Sequence, residues 1–160
     1  MTNRIVLTIL AAIILAGPAR AAGGDFGLGI IVGEPTGFVG KYYVSNRNAI
    51  DGAVGWSLEK NNYMHLHGDY LFHNWDLIDV DEGRMAFFFG IGGRIVLVDD
   101  DDDRHDNDPE DHIGVRFPLG LNYLFENRIF DIFAEIVPIM DVAPETDFDI
   151  EGALGARFYF

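Results

Sequence analysis

Cysteine is absent from the 160-residue sequence. No disulfide can support the fold, and neither thiol chemistry nor a thiolate metal site is available. Basic residues are scarce: 11 Lys and Arg stand against 26 Asp and Glu, a formal charge of −15. Phosphate recognition needs a basic face, so nucleic acid is excluded as a partner. After residue 22 no apolar segment of useful length keeps the helical period. What is present instead is glycine, at 19 residues, and aromatic side chains, at 13%. Glycine and aromatics within alternating segments point to an all-β protein with tight walls.

The first residues have a different character. Arg4 supplies a positive start, Ile5 to Gly17 an apolar stretch, and Ala19-Arg20-Ala21 the small-x-small pattern of a cleavage site. Residues 1–21 therefore read as a secretory signal peptide, and 22–160 as one mature domain. The apolar stretch is shorter than the roughly 20 residues of a spanning helix, which disfavours an uncleaved anchor. Cleavage removes Arg4 and Arg20 and moves the formal charge from −15 to −17.

The mature part divides into eight alternating segments, 25–33, 36–45, 48–58, 63–73, 85–98, 112–124, 129–140 and 149–160. Each approximates the ~9–11 residues that cross a bilayer as a tilted strand. Successive side chains of a strand point to opposite faces. In 48–58, Ile50, Val54, Trp56 and Leu58 oppose Ala49, Asp51, Ala53, Gly55 and Ser57. In 63–73, Met64, Leu66, Tyr70 and Phe72 oppose His65, His67 and Asp69. The segments 112–124 and 149–160 repeat the contrast of a bulky apolar face with a small or charged one. An eight-stranded barrel has an interior just wide enough for side chains to fill. The small face suits that lumen, and the bulky face then meets lipid. The expected fold is an all-β, eight-stranded antiparallel up-and-down transmembrane β-barrel with both termini in the periplasm. A soluble, lipocalin-like barrel, with its apolar face inward, is the alternative.

Two features sit awkwardly in this scheme. Asn74 to Arg84 is long for a periplasmic turn, whereas the outer turns at Glu34-Pro35-Thr36 and Glu59 to Asn62 are short, the reverse of the usual pattern. Pro118 falls inside a strand, where it removes a ladder hydrogen bond and suggests a bulge.

The ending Leu154-Gly155-Ala156-Arg157-Phe158-Tyr159-Phe160 resembles the C-terminal signal of outer-membrane barrels, with Leu154, Ala156, Phe158 and Phe160 at the alternating positions. The mature chain as a whole resembles small bacterial outer-membrane barrels of OmpA or OmpX size. The segments that carry this are Gly33-Glu34-Pro35-Thr36-Gly37, Gly40-Lys41-Tyr42, Asn48-Ala49-Ile50-Asp51, Ile91-Gly92-Gly93-Arg94, Gly114-Val115-Arg116 and Glu135-Ile136-Val137-Pro138. The resemblance implies an outer-membrane barrel of a Gram-negative bacterium, read by the barrel-assembly machinery and in contact with lipid and lipopolysaccharide. It carries no activity to transfer.

The face assigned to the lumen bears Lys41, Arg94, Arg116 and Arg157 against Asp51, Asp69, Glu135 and Glu151, four charges of each sign. Unpaired charges in a narrow lumen cost several kcal/mol each, so a charge-paired plug is expected. A narrow path for small ions or solutes is the competing reading. His65, His67 and Asp69 share one face and offer metal-ligand chemistry. They spread along roughly 14 Å of strand, so one ion takes two of them at most without help. Ser57 with His65, assisted by Glu34 or Asp141, is the constellation nearest to a lipid A-modifying enzyme, but no motif ties them together. The expectation is a structural or surface-interaction protein, not an enzyme. Residues 99–111 carry eight Asp and one Glu against Arg104. Such runs are usually solvated. In an outer loop, Asp99, Asp101 and Asp103 could attract divalent cations loosely, without the spacing of an EF-hand. Gly90, Gly92 and Gly93 lack the following helix of a nucleotide loop, and no cofactor is expected.

Overall fold

A computed structural model describes residues 24–56, 63–98 and 111–160. The signal-peptide assignment, Ser57 and most of the acidic segment, including Asp99, Asp101 and Asp103, lie outside the described residues.

Nine strand segments follow one another: β1 Phe26–Gly33, β2 Thr36–Tyr43, β3 Asn48–Trp56, β4 Tyr63–Ile78, β5 Arg84–Val98, β6 His112–Arg116, β7 Leu119–Leu124, β8 Phe130–Ala143 and β9 Asp147–Tyr159. Every pairing is antiparallel, and β1 pairs with both β2 and β9, so the sheet closes on itself. β6 and β7 lie end to end between β5 and β8. They count as one wall position, and the ring is an eight-stranded up-and-down barrel. Among the described residues every strand has a hydrogen-bonded neighbour on both sides, which is how a closed barrel avoids open edges.

The proline at the β6–β7 junction does not produce the expected bulge. Arg116 pairs with Ile139 and Leu119 with Ile136, so the register against β8 continues in step across Phe117-Pro118. The ladder also continues locally: Phe117 N–H donates to Pro138 O at 2.9 Å, and Gly90 N–H donates to Pro118 O at 2.9 Å. Pro118 merely lacks a donor of its own. The register shift falls one strand length away, between Ile113 and Gly114.

The long turn read at 74–84 is corrected in the same way. β4 continues to Ile78 and β5 begins at Arg84, with a register irregularity between Asn74 and Ile78. Only 79–83 remain as the connection, closed by Gly83 at φ +69°. Strand pairing overrides the polar composition of Asn74 to Asp76. The neighbouring turns at this end are also tight. In 44–47 the Ser45 hydroxyl accepts from Asn48 N–H, and in 125–129 the Asn127 carboxamide oxygen accepts from Ile129 N–H. The chain's C-terminus lies at this end too, since Phe160 N–H donates to Phe26 O.

Alternation sorts the side chains. Ile30, Val32, Phe38, Ile50, Trp56, Ile91, Ile136, Phe148, Ile150 and Leu154 point outward and are exposed. Ile31, Val39, Ala53, Leu71, Phe88, Phe133 and Ala153 point inward and form the apolar part of the core. Near the termini, outward aromatics contact one another around the wall: Phe72 with Phe89, Phe125 with Phe130, and Phe158 with Phe160.

Candidate functional site in the barrel lumen

The site follows from register. One row of hydrogen-bonded neighbours runs Tyr159, Gly27, Lys41, Asp51, Asp69, Gly92, Arg116, Ile139 and Asp149. It leaves β9 at Tyr159 and returns to β9 at Asp149, ten residues back. That offset is the stagger that closing a tilted sheet requires. The next inward row runs Arg157, Gly29, Val39, Ala53, His67, Arg94, Gly114, Asp141 and Asp147. Residues far apart in sequence thus reach one small interior.

Glycines make the room. A Cβ on Gly92 would strike Asp69, one on Gly114 would strike Asp141, and one on Gly155 would strike the Phe133 ring. At Gly27 the added carbon would stand 2.8 Å from the ring of Tyr159. Each of these glycines faces a large or charged partner on a neighbouring strand.

All eight lumen charges read from the sequence are buried: Lys41, Asp51, Asp69, Arg94, Arg116, Glu135, Glu151 and Arg157. Two more carboxylates join them, Asp131 and Asp141. The balance of four against four is therefore corrected to six carboxylates against four cations among the described buried residues. Asp141 was hidden because β8 runs beyond the expected end at 140, to Ala143.

Three tiers stack along the barrel axis. Nearest the termini, Asp131 accepts from Arg157 Nε at 3.0 Å, Asn122 Nδ2 at 3.0 Å and Tyr159 Oη at 2.7 Å. The Arg157 guanidinium also lies 4.0 Å from the centre of the Phe133 ring. Lys41 Nζ donates to Asn122 Oδ1 at 2.8 Å and meets His73 Nε2 at 2.6 Å. Among the described residues Lys41 takes no carboxylate partner within ion-pair range; neutral groups and the Tyr43 ring surround it.

In the middle tier, Arg116 is fully buried. Its Nε donates to Asp69 Oδ2 at 3.2 Å, its Nη1 donates to Glu151 Oε2 at 3.3 Å, and its Nη2 lies 3.7 Å from Glu135 Oε1. Asp51 Oδ2 lies 3.6 Å from Arg157 Nη1. Toward the loop end, Arg94 grips Asp141 with two hydrogen bonds, at 3.0 and 2.6 Å, and donates to Glu151 at 2.5 Å. Asp149, half exposed, closes this side at 3.4 Å.

His65 and His67 are inside, with ring nitrogens 3.4 Å apart. His67 Nε2 faces Asp69 Oδ2 at 3.9 Å. The third member of that group is Asp51, which the sequence reading did not include: it is Asp69's direct neighbour across β3 and β4. Asp141, weighed as an assistant to His65, is committed to Arg94. Leu154 and Phe158 are exposed on the outward face of β9, with Ala156 half-buried between them, and Phe160 is exposed just past the strand's end.

A closed eight-stranded barrel with an ion-paired interior is the class this geometry defines. A family model described as a protein of unknown function, DUF3996, matches residues 19–155, and the chain belongs to that family. No curated protein matches the sequence. Among solved structures, the N-terminal β-barrel domain of OprF from Pseudomonas aeruginosa is similar, with a TM-score of 0.59 and 14% sequence identity. The match covers 86% of this chain and 99% of that domain. At that identity the likeness is one of fold.

Proposed function

We propose that this chain is a small outer-membrane β-barrel protein whose lumen is closed by a charge-paired plug, with a structural or surface-interaction role in the cell envelope. The observation that carries the reading is the polarity of the wall. Large apolar side chains such as Ile136, at 60% exposure, face out, while Arg116 and Arg157 face in at 0% and 1%. Water would favour the reverse arrangement; hydrocarbon favours this one. A lipocalin-like soluble barrel would carry its apolar face inward. The similarity of fold to the OprF barrel supports the same reading.

In this account residues 1–21 direct export, and the assembly machinery reads Leu154, Ala156, Phe158 and Phe160. The tight turns and Phe160 face the periplasm, and the acidic composition of 99–111 suits a loose attraction of the divalent cations that gather at a lipopolysaccharide surface. The protein is not an enzyme in this account, and its deletion is expected to leave the lipid A profile unchanged.

Fractionation of cells tests the address. Recovery in the outer membrane is expected, and recovery in the soluble periplasm contradicts it. Planar-bilayer recording of the refolded barrel tests the plug. No stable conductance is expected at neutral pH; a reproducible single-channel step would favour the competing reading, a narrow path for small ions.

A further inference from the structure

The middle tier contains a group that the ion pairs do not satisfy. Asp51 and Asp69 are direct cross-strand neighbours, an arrangement in which two like charges repel. Each places Oδ2 beside an arginine, Asp51 at 3.6 Å from Arg157 and Asp69 at 3.2 Å from Arg116. Each leaves Oδ1 buried with no hydrogen-bond partner among the described residues. Their side chains are 5% and 2% exposed. His67, with its side chain 2% exposed, completes the group, and one ligand atom from each of the three lies within 4.8 Å of the other two.

We infer that Asp51, His67 and Asp69 form a divalent-metal site inside the lumen, suited to a borderline ion such as Zn²⁺. Three observations converge on it. First, the donor set is one imidazole and two carboxylates, which zinc accepts readily and which magnesium or calcium, preferring oxygen alone, does not. Metal–ligand bonds of about 2.0–2.2 Å set donor atoms about 3.4 Å apart in a tetrahedron, so the observed spacing needs only a side-chain contraction. Second, His67 is already aimed. Its Nδ1 meets His65 Nε2 at 3.4 Å, leaving Nε2 toward Asp69. A second group holding the far nitrogen is the usual way a ligand imidazole is oriented. Third, among the described residues six buried carboxylates stand against four buried cations. A divalent ion matches that formal excess of two. The inference rests on the barrel's interior and not on its membrane address.

The test refolds the mature chain in detergent with Zn²⁺ present, so that entry into the closed lumen is not limiting. Excess Mg²⁺ is included to occupy oxygen-only carboxylate sites such as the acidic segment. After gel filtration, zinc per chain is measured by elemental analysis. One equivalent is expected to remain with the native protein, and His67→Gln and Asp51→Asn are each expected to weaken retention at least tenfold. Folding of each variant is checked by heat-modifiable electrophoretic mobility. Co²⁺ loaded in place of Zn²⁺ supplies a second readout on the unaltered protein, with visible bands of a tetrahedral nitrogen- and oxygen-ligated ion expected. A native barrel that retains no zinc and shows no such spectrum overturns the site. So does retention that persists in folded His67→Gln.

Discussion

The tier around Asp131 and the tier around Asp51 and Asp69 are built from the same residue types and come out differently. Asp131 is saturated: Arg157, Asn122 and Tyr159 all donate to it. Asp51 and Asp69 stand side by side, and each keeps one oxygen without a hydrogen-bond partner among the described residues. A buried carboxylate is tolerated when its lone pairs are filled, and becomes a demand on its surroundings when they are not. The first tier is a lock across β2, β7, β8 and β9. The second is an incomplete coordination shell.

The sharpest way to break this contrast is to unlock the first tier. Arg157→Met leaves Asp131 buried without its cation, also takes the arginine from Asp51, and should destabilise the barrel by about 3–5 kcal/mol, measured by urea unfolding in detergent or lipid. The wall offers a matching contrast between Ile136, which faces out, and Val137, which faces in. Ile136→Arg, near the middle of β8, should cost about 2–4 kcal/mol when the barrel is folded in bilayers, and less in detergent micelles, which yield more easily. Gly155→Ala forces the Phe133 ring aside and should cost about 1–3 kcal/mol, visible as a lower unfolding midpoint. The smallest effect is expected in the second tier. Asp51→Asn in metal-free protein removes one of two adjacent like charges and should change stability by about 1 kcal/mol or less. A loss there as large as that of Arg157→Met would erase the distinction between the tiers.

Much of this was legible in the sequence, because a strand's period of two is a strong signal when one face is bulky and apolar and the other fills a narrow lumen. The inward assignment of Lys41, Asp51, Arg94 and Arg157 needed only parity. The ends of strands were less legible. Polar residues at Asn74 to Asp76 resemble a turn, yet pairing with β5 extends β4 past them. Asp141 lay beyond the expected limit of its strand for the same reason. Partnership was not legible at all. Asp51 meets Asp69, and Arg157 meets Asp131, only through the register of a closed ring, and no spacing along the chain encodes a stagger of ten residues. Of His65, His67 and Asp69, two stand together with a third donor that only register supplies: Asp51, on the neighbouring strand.

The absence of cysteine makes the most direct test simple, since single cysteines can be placed along β8 and spin-labelled in the barrel reconstituted into lipid vesicles. Labels at Ile132, Ala134, Ile136 and Met140 should be open to dissolved oxygen and shielded from a water-soluble nickel chelate. Labels at Phe133, Val137 and Ile139 should be shielded from both. That alternation places the apolar face of β8 in hydrocarbon and its other face in a filled lumen. Equal accessibility at all seven positions, or chelate access at Ile132 and Ile136, would contradict a plugged membrane barrel.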